Sequence, residues 1–329
     1  MKIDSKKLSG ILSTLQKFTA SRATMPVLDH IVFEKGVMWA TNLEHWCIVT
    51  VPESDLDMCV PARTITDLVS SLSGEVELTP DYDTFTVKVR AGTQKGRIKC
   101  IDIGEAARLS GQTPDHWKEF NLKAAQRVAV CAAKDDARPI LTGVLLGDNC
   151  LAAADGFRLG MIGEFEQGVV VPAKTITMLP QGIDRWADAS NSAWFTNGTV
   201  TVVVQRIEGN FPSLDQIIPS GGTPVQFKAK EALAALKTVM VTADKSLLIK
   251  IGWNEGAVTF TSESESGSGQ ASFPADGDGF QDFALNGKLL SDALSDCGDV
   301  TMYTTSPSAP IKITDGKYTN VIMPMAVRK

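Results

Sequence analysis

His45 and Cys47 are the residues whose types and spacing come closest to a catalytic arrangement, two positions apart in "HWC". On a β-strand such residues point to the same face, which would place an imidazole beside a thiol. A cysteine nucleophile also needs a group that orients its base and a cleft that holds the substrate. A pair of packed strand residues accounts for the same spacing. Because the chain also lacks a phosphate-binding loop, an HExxH motif and a GxSxG motif, we expect no enzyme.

Neither the cysteines nor the acidic turns have the spacing of a metal site. The six cysteines stand at positions 47, 59, 100, 131, 150 and 297 without a CxxC pair, so we expect small buried hydrophobic residues. Asp276 and Asp278 in "ADGDG" lack the ligand spacing of a calcium loop and indicate a hairpin turn. The sequence therefore predicts neither a metal nor a cofactor.

Length and composition favour a soluble protein of two or three domains. The chain has 329 residues, 43% of them hydrophobic and 21% charged, and no stretch approaches the roughly 20 apolar residues of a membrane span. Its N-terminal segment is amphipathic and shows no secretory cleavage site, which favours a cytoplasmic location and no membrane partner. The formal net charge of −6 argues against nucleic-acid binding unless the charge is segregated.

An internal repeat organises the chain. "VPARTITDL" begins at Val60 and "VPAKTITML" at Val171, 111 residues later, with seven of nine positions identical. In both copies a proline opens an upstream apolar strand, and Asn42 corresponds to Asp155 at an offset of 113. A third, weaker copy contains "NGKLLSDAL". A unit of about 110 residues suits one domain and exceeds a solenoid repeat. The predicted domains are 1–112, 113–221 and 222–329.

Each repeat has the same order of predicted elements. An amphipathic helix comes first, and alternating strands such as "TVTVVVQRIEG" and "AVTFTSES" follow. A second short helix lies inside each repeat, at 61–74, 172–182 and 286–297. We therefore predict an α+β fold of three repeated domains, each an antiparallel sheet with two helices on one face.

Positive charge concentrates in the first helix of each repeat. The predicted helices 5–22, 120–134 and 226–245 carry +4, +3 and +2, and the first two contain no acidic residue. The second helices are nearly neutral. A solvated helix face explains any single one of these segments. Three equivalent basic helices on an otherwise acidic chain favour contact with a phosphate backbone, without reading of bases.

Four stretches resemble the bacterial DNA polymerase III beta subunit family, the DNA sliding clamps. They are "TMPVLDHIVF", "ADGFRLGM", "IEGNFPSLDQIIP" and "NVIMPMAV", in the family's order and at its three-domain spacing. Among the positions that depart from the family's frequent residues, Phe157 stands where a histidine is common and Leu289 where a tyrosine is usual.

The resemblance implies the DNA clamp fold and a closed ring formed by a head-to-tail homodimer. Such a ring encircles double-stranded DNA independently of sequence and acts as a processivity factor in DNA replication. DNA polymerase and clamp-loader subunits would bind it through short linear motifs. The candidate DNA-binding residues, all basic and in or beside the first helices, are Lys6, Lys17, Arg22, Lys123, Arg127, Lys134, Lys228 and Lys237.

The resemblance also implies a partner-peptide pocket between domains two and three, with an apolar wall and a polar rim from Arg158. Its candidate residues are Leu141, Gly156, Phe157, Arg158, Leu159, Pro212, Ile217, Asn286, Met323, Pro324 and Met325. For the dimer interface the candidates are Ile98 and Cys100 on an edge strand, with Met240 and Val241 as their partners.

Two alternatives remain open at the level of the sequence. A monomeric, three-module β-rich binding protein without a DNA role would account for the repeat, but not for the equivalent basic helices. A Cys–His hydrolase would use His45 and Cys47.

Overall fold

Short helices alternate with antiparallel strands along the whole chain. The computed structural model describes residues 1–22, 25–214 and 217–326. Parts of two quoted motifs, Ala23 and Thr24 of "RATMP" and Asp215 and Gln216 of "IEGNFPSLDQIIP", lie outside the described residues. Within those ranges the α-helices are α1 (Ser5–Gln16), α2 (Ala62–Ser70), α3 (Leu122–Ala129), α4 (Ala173–Met178), α5 (Ala229–Met240) and α6 (Gly287–Leu294).

The strands pair only antiparallel in the described part of the chain. The first strands are β1 (Lys2–Asp4), β2 (His30–Glu34), β3 (Val37–Thr41), β4 (His45–Thr50), β5 (Met58–Pro61), β6 (Glu75–Asp81), β7 (Thr86–Ala91), β8 (Gln94–Lys99), β9 (Ile101–Asp102), β10 (Lys118–Glu119), β11 (Gly143–Leu146), β12 (Leu151–Ala154) and β13 (Arg158–Ile162). Those that follow are β14 (Val169–Pro172), β15 (Arg185–Ala189), β16 (Ser192–Thr196), β17 (Val200–Gln205), β18 (Thr223–Lys228), β19 (Leu248–Asn254), β20 (Ala257–Ser264), β21 (Gly267–Pro274), β22 (Asp276–Gly277), β23 (Phe283–Asn286), β24 (Asp299–Thr304), β25 (Ile311–Thr314) and β26 (Tyr318–Ile322).

The chain divides into two compact units. The first contains residues 1–122 and 177–206 and holds a four-stranded sheet, β1-β6-β7-β8, and a nine-stranded sheet, β10-β15-β16-β17-β4-β3-β2-β5-β9. The second contains residues 123–176 and 207–329 and holds a nine-stranded sheet, β14-β11-β12-β13-β26-β25-β24-β18-β22, and a four-stranded sheet, β21-β20-β19-β23. The predicted α+β architecture of antiparallel sheets is confirmed, and the three-domain division stays a prediction.

Helices pack on the sheets through apolar stripes, as the helical periodicity predicts. In the first unit α1 packs against α2, and Leu8, Leu12 and Leu15 of α1 are fully buried. In the second unit α5 packs against α6, and its Leu236 joins Phe260 of β20 in one apolar core. Each fully buried leucine or phenylalanine contributes about 2 kcal/mol of transfer free energy to stability.

The repeat predicted from the sequence appears as repeated hydrogen bonds. The Asn42 side chain accepts from the N–H groups of Glu44 and His45, and the Asp155 side chain accepts in the same way from Phe157 and Arg158. Both turns lead into the fourth strand of their repeat, β4 and β13. The matched nonapeptides likewise form the same element pair, a strand ending in proline followed by a helix.

The first helices of the repeats are shorter than predicted. Segments 5–22, 120–134 and 226–245 form α1, α3 and α5, which end at Gln16, Ala129 and Met240. Each ends because the next N–H groups bond to carbonyls three residues back, as when Cys131 donates to Val128, which tightens and closes the last turn. The prolines, too, open short 3-10 helices rather than strands, at Pro26–Asp29 and Pro139–Thr142.

Candidate functional site

A basic stripe runs along the exposed face of α1. Asp4 caps the helix by accepting from the N–H groups of Lys6 and Lys7. Because 3.6 residues make one turn, the buried leucines leave positions 6, 10, 13 and 17 on the opposite face. All four are exposed, so Lys6 and Lys17 project into solvent from the two ends of one stripe. This placement agrees with the sequence prediction.

The second basic helix differs from its prediction. Lys123 is exposed on α3, but Arg127 is partly buried and turns toward other elements. Its guanidinium lies 3.8 Å from the centroid of the Tyr318 ring and 3.5 Å from an Asp315 oxygen, and it donates to Cys297 Sγ at 2.7 Å. Arg127 therefore serves as a brace between α3 and β26 instead of projecting from an exposed helix face, and its contact with DNA stays a prediction.

Electrostatics around Arg127 support the role of a brace. Burial by itself would raise the pKa of the Asp315 carboxyl, but the N–H groups of Tyr318 and Lys317 and the Arg127 charge outweigh it, so this pKa lies below its ordinary value. Asp315 is thus held as a carboxylate beside the guanidinium. A charge engaged with an aromatic face and a carboxylate is a poor partner for a phosphate.

The third basic helix contains a candidate that the sequence analysis missed. Lys230 is exposed near the start of α5 and holds the position that Lys6 holds in α1, since both helices have twelve residues. Lys237 is exposed two turns further along the same face of α5. Lys228 precedes the helix as its N-cap and pairs with Asp299 in the sheet, which places it outside the stripe. Matching the helix starts by their caps would have identified Lys230.

Two remaining basic candidates lie in turns. Arg22 follows α1 and Lys134 follows α3, and both are exposed. Lys134 was predicted to lie on the helix 120–134, which is wrong because α3 ends at Ala129.

Large apolar side chains of the second unit are exposed at the turn before β13, directly after β26 and in the loop after β17. Phe157 is 69% exposed, Met323 40% and Ile217 37%. The N–H of Met323 donates to the Phe157 carbonyl at 2.8 Å, and the N–H of Met325 donates to Ala284, so the segment after β26 is fixed on both sides. Exposed large hydrophobic residues fixed on adjacent backbone are typical of a protein-binding surface.

The remaining candidate residues of the partner-peptide pocket differ in exposure. Leu141 and Leu159 are buried in the small apolar core beneath this surface, whereas Pro212 is exposed and Pro324 and Met325 are partly exposed. Gly156 adopts a φ of +91°, which favours glycine, and closes the turn before Phe157. Asn286 caps α6 by accepting from the N–H groups of Lys288 and Leu289.

Arg158 does not form the predicted polar rim. Its side chain is 7% exposed, and Nε donates to Asp155 at 3.1 Å while Nη1 donates to Asp292 at 2.8 Å. Nη2 donates to the Val130 carbonyl. Burial disfavours the charged guanidinium, but the bond to Asp292 and the nearby acidic charges outweigh it, so the pKa of Arg158 lies above its ordinary value. The arginine joins the end of α3, β13 and α6 from inside.

The four interface candidates differ in exposure. Ile98 is 4% exposed and packs inside its own unit, and Cys100 is half-buried with its N–H bonded to Phe85. Met240 packs partly against the core of the second unit. Val241 alone of the four presents a largely exposed apolar side chain, and the four interface positions stay a prediction.

His45 and Cys47 lie on one face of β4, as their spacing predicts, but both are buried. Burial raises the pKa of the Cys47 thiol far above its ordinary value, which suppresses the thiolate that a nucleophile needs. The described residues contain no group of three potential metal ligands. Among them no helix is long and apolar enough to cross a membrane.

Known proteins are similar to the chain in sequence. No family model matches the chain. A beta sliding clamp of Synechocystis is 25% identical over 97% of both chains, and one of Synechococcus elongatus is 22% identical over 98% of both. Another, of Pseudomonas putida, is 24% identical over 68% of this chain and 70% of its own.

Solved structures share the fold along nearly the full length. A DNA polymerase III beta subunit from Eubacterium rectale superposes with a TM-score of 0.89 at 21% identity, covering 99% of each chain. That of Thermotoga maritima gives 0.86 at 22% identity, again over 99% of each chain. The chain is therefore similar in sequence to beta sliding clamps along its whole length, and it shares the fold of DNA polymerase III beta subunits.

Proposed function

We propose that the chain is a DNA sliding clamp, a processivity factor that encircles duplex DNA as a head-to-tail homodimer. The observation that carries the proposal is the pair of exposed lysine stripes at equivalent positions on α1 and α5, with Lys123 exposed on α3, in a chain of net charge −6. In the proposed ring these helices of three repeats per copy line the hole. A heterologous interface that closes on itself generates such a ring.

The mechanism is topological and needs no catalytic residue. A closed ring cannot leave DNA sideways, so its contacts with phosphates can be weak, screened and bridged by water, which permits sliding. Lysine suits this task because its ammonium is a mobile point charge without the rigid geometry of a guanidinium. The acidic remainder of the chain repels DNA from the outer surface.

Retention on circular DNA tests the proposal directly. The purified chain is incubated with nicked circular plasmid, separated from free protein by gel filtration, and treated with a restriction enzyme that cuts once. We expect the protein to stay on the circle and to leave after linearisation, with a solution mass of twice 35.3 kDa before loading. Equal retention on circular and linear DNA would contradict encirclement.

We also propose that the surface around Phe157, Ile217 and Met323 binds short linear motifs of DNA polymerase and clamp-loader subunits. Three exposed apolar side chains beside a fixed Met-Pro-Met segment support it, because flexible thioethers adapt to varied partners. The buried Arg158 beneath them fixes the turn that presents Phe157. The exposed Phe157 favours motifs with an apolar side chain at that position.

Griselimycin provides a probe for this surface, since a Pseudomonas aeruginosa sliding clamp with 19% identity was crystallised bound to it. We expect griselimycin to bind the wild-type chain, and the double variant Phe157→Ala and Met323→Ala to bind it at least about tenfold more weakly, because two apolar contacts are lost. Isothermal titration calorimetry measures both. As a control, Val241→Ala removes an exposed apolar side chain elsewhere in the second unit. No binding to the wild type, or equal affinities of all three proteins, would place the pocket elsewhere.

A further inference from the structure

A cavity of about 450 Å³ opens in the second unit. Three pieces of backbone surround it: the end of β19, the loop between β22 and β23, and the turn that follows β24. Among the described residues that line it, none is a candidate of the partner-peptide pocket. Its volume lies within the range of cavities that hold small ligands, roughly 300–1,000 Å³.

One wall of the cavity is aromatic and is fixed in the core. Trp253 at the end of β19 packs against Phe280 with ring centroids 5.9 Å apart, and Phe280 packs in turn against the buried Phe283 at 5.3 Å. Gly279 has a φ of +86°, and a Cβ there would lie 2.5 Å from Trp253 Cδ1. Glycine therefore lets the loop pass close to the indole. The wall is thus already formed in the free chain.

Polar side chains without partners form much of the remaining lining. Four exposed side chains there form no hydrogen bond or ion pair with a described residue: Asp278, Gln281, Thr305 and Ser306. Their oxygen atoms are therefore free to accept hydrogen bonds from a ligand.

Thr304 adds a buried polar group to this lining. The residue is 6% exposed, yet its hydroxyl has no hydrogen-bond partner among the described residues. Buried hydroxyls are nearly always paired, because losing water without gaining a partner costs free energy. In the described part of the chain, the unpaired side-chain atoms that are sealed from solvent are Ser54 Oγ and Arg127 Nε. The Thr304 hydroxyl is therefore not sealed, and it opens into the cavity that Thr304 lines.

The charge at the cavity is negative. Asp278 is the one ionisable residue among the described residues that line it, and Asp276 and Asp282 flank Asp278 along the chain. The Asp282 carboxylate lies beside Gly252, the residue before Trp253. Such a potential repels phosphates and other anions and attracts cations.

We propose that this cavity binds an arginine side chain of a protein partner. A guanidinium carries five N–H donors and no acceptor, and the cavity offers acceptors in a carboxylate, a carboxamide oxygen and several hydroxyl groups. The Asp278 carboxylate can accept two parallel hydrogen bonds from a guanidinium, which is the strong arrangement of this ion pair. The wall of Trp253 favours arginine over lysine, because a guanidinium is planar and weakly hydrated whereas an ammonium is strongly hydrated.

This site goes beyond the proposed clamp function, because it recognises a different chemical group. The surface around Phe157, Ile217 and Met323 is apolar, whereas the cavity is polar and negative. A partner that carries both an apolar motif and a suitably placed arginine would bind more tightly than either part alone. Once the first part is bound, the second contact forms within one complex.

NMR titration of the Trp253 indole tests the proposal. Trp253 is the only tryptophan of the second unit and one of six in the chain, so the signal lost in Trp253→Phe identifies its Nε1–H. The probe is N-acetyl-arginine methylamide. Its matched control is N-acetyl-citrulline methylamide, which has nearly the same shape without the charge.

The arginine probe should shift the Trp253 signal saturably, with a Kd of about 1 mM, as expected for a small ligand held by a few charged hydrogen bonds. The citrulline probe should bind at least about tenfold more weakly, because hydrogen bonds between neutral and charged groups are weaker than those of an ion pair.

Variants of the chain test the role of the carboxylate. Asp278→Asn keeps the shape of the side chain and removes its charge, so it should weaken binding of the arginine probe at least about tenfold. Asp296→Asn is the matched control. It removes an exposed carboxylate of the second unit that does not line the cavity, at a φ of +58° that asparagine tolerates. Its affinity should stay within about twofold of the wild type, because exposed charges outside the site are screened.

Three results would overturn the proposal. Equal affinities for the arginine and citrulline probes, or wild-type affinity in Asp278→Asn, would exclude recognition of a guanidinium. A tighter response to methyl glucoside or to inorganic phosphate would assign the cavity to a polyol or an anion. The absence of a saturable shift up to about 50 mM of the arginine probe would show that the cavity does not bind arginine.

Discussion

Replacing Lys6, Lys17 and Lys123 by glutamate should weaken the binding of a short DNA duplex by about a hundredfold at low salt. Each lysine that neutralises a phosphate releases a counterion, and the logarithm of the binding constant falls by about 0.9 per contact for each tenfold rise in salt. At about 0.05 M salt, the loss of three direct phosphate contacts would lower the binding constant more than a thousandfold. Because contacts bridged by water contribute less than direct ones, we expect a loss of about a hundredfold.

Fluorescence anisotropy with a labelled 20-base-pair duplex measures this effect. The slope of the logarithm of affinity against the logarithm of salt concentration should fall by about three for the triple variant. Lys35→Glu, Lys88→Glu and Lys250→Glu form the matched control, since these exposed lysines lie outside the helices and change the net charge equally. If both triple variants lost the same affinity, net charge alone would explain the binding, and the helix stripes would have no special role.

The basic stripes were predictable because they depend on local periodicity. The spacing of Leu8, Leu12 and Leu15 fixes which face of α1 is buried, and Lys6 and Lys17 follow from it. The helix ends were not predictable in the same way. Helix α3 ends after Ala129 because of hydrogen bonds in the following turn, after which the N–H of Ala133 donates to the carbonyl of Leu141. Nothing in the local composition of 130–134 encodes that partner.

The roles of the two arginines depend on contacts that are distant in sequence. Arg127 contacts Asp315 and Tyr318 of the last hairpin, nearly 190 residues away. Because a helical wheel does not include such distant partners, it shows Arg127 as an unpaired cation. The family resemblance assigned the local motif around Phe157 to a partner-peptide pocket, which stays a prediction. It could not reveal that the neighbouring arginine points inward, since Asp292 lies 134 residues further along the chain.

Interior polar contacts also explain how a divergent sequence keeps this surface. The side chains of Phe157 and Met323 can change without loss of the turn, because neither side chain holds it in place. The Asp155 side chain, the Arg158 guanidinium and the backbone bond from Met323 to Phe157 do that. The groups that hold the turn in place are thus different from the side chains that the turn exposes.

Removing the Arg158 side chain should destabilise the second unit by about 3–5 kcal/mol, the usual cost of breaking a buried ion pair by losing one partner. Arg158→Ala leaves the carboxylates of Asp155 and Asp292 without their shared cation, and the side chains of both are less than one-fifth exposed. Lys288, which also bonds Asp292, is too exposed to replace the buried charge.

Hydrogen exchange followed by mass spectrometry measures this loss within the second unit alone. Peptides covering β13 and α6 should lose protection in Arg158→Ala, and those covering α1 should keep it. Arg138→Ala is the matched control, because Arg138 bonds the carbonyl of the same Asp155 from an exposed position and should cost less than about 0.5 kcal/mol.

The Arg158→Ala variant also distinguishes a bracing role of Arg158 inside the second unit from a role in the polar rim of the peptide pocket. If Arg158 braces the turn, Arg158→Ala should weaken griselimycin binding together with the loss of protection in β13, because Phe157 is no longer held in place. Arg158→Lys keeps the charge but cannot donate to Asp155, Asp292 and Val130 in three directions at once. This variant should therefore restore only part of the griselimycin binding and part of the protection of β13. Weakened griselimycin binding with unchanged exchange in β13 would instead mean that the guanidinium contacts the ligand and reaches the rim after all.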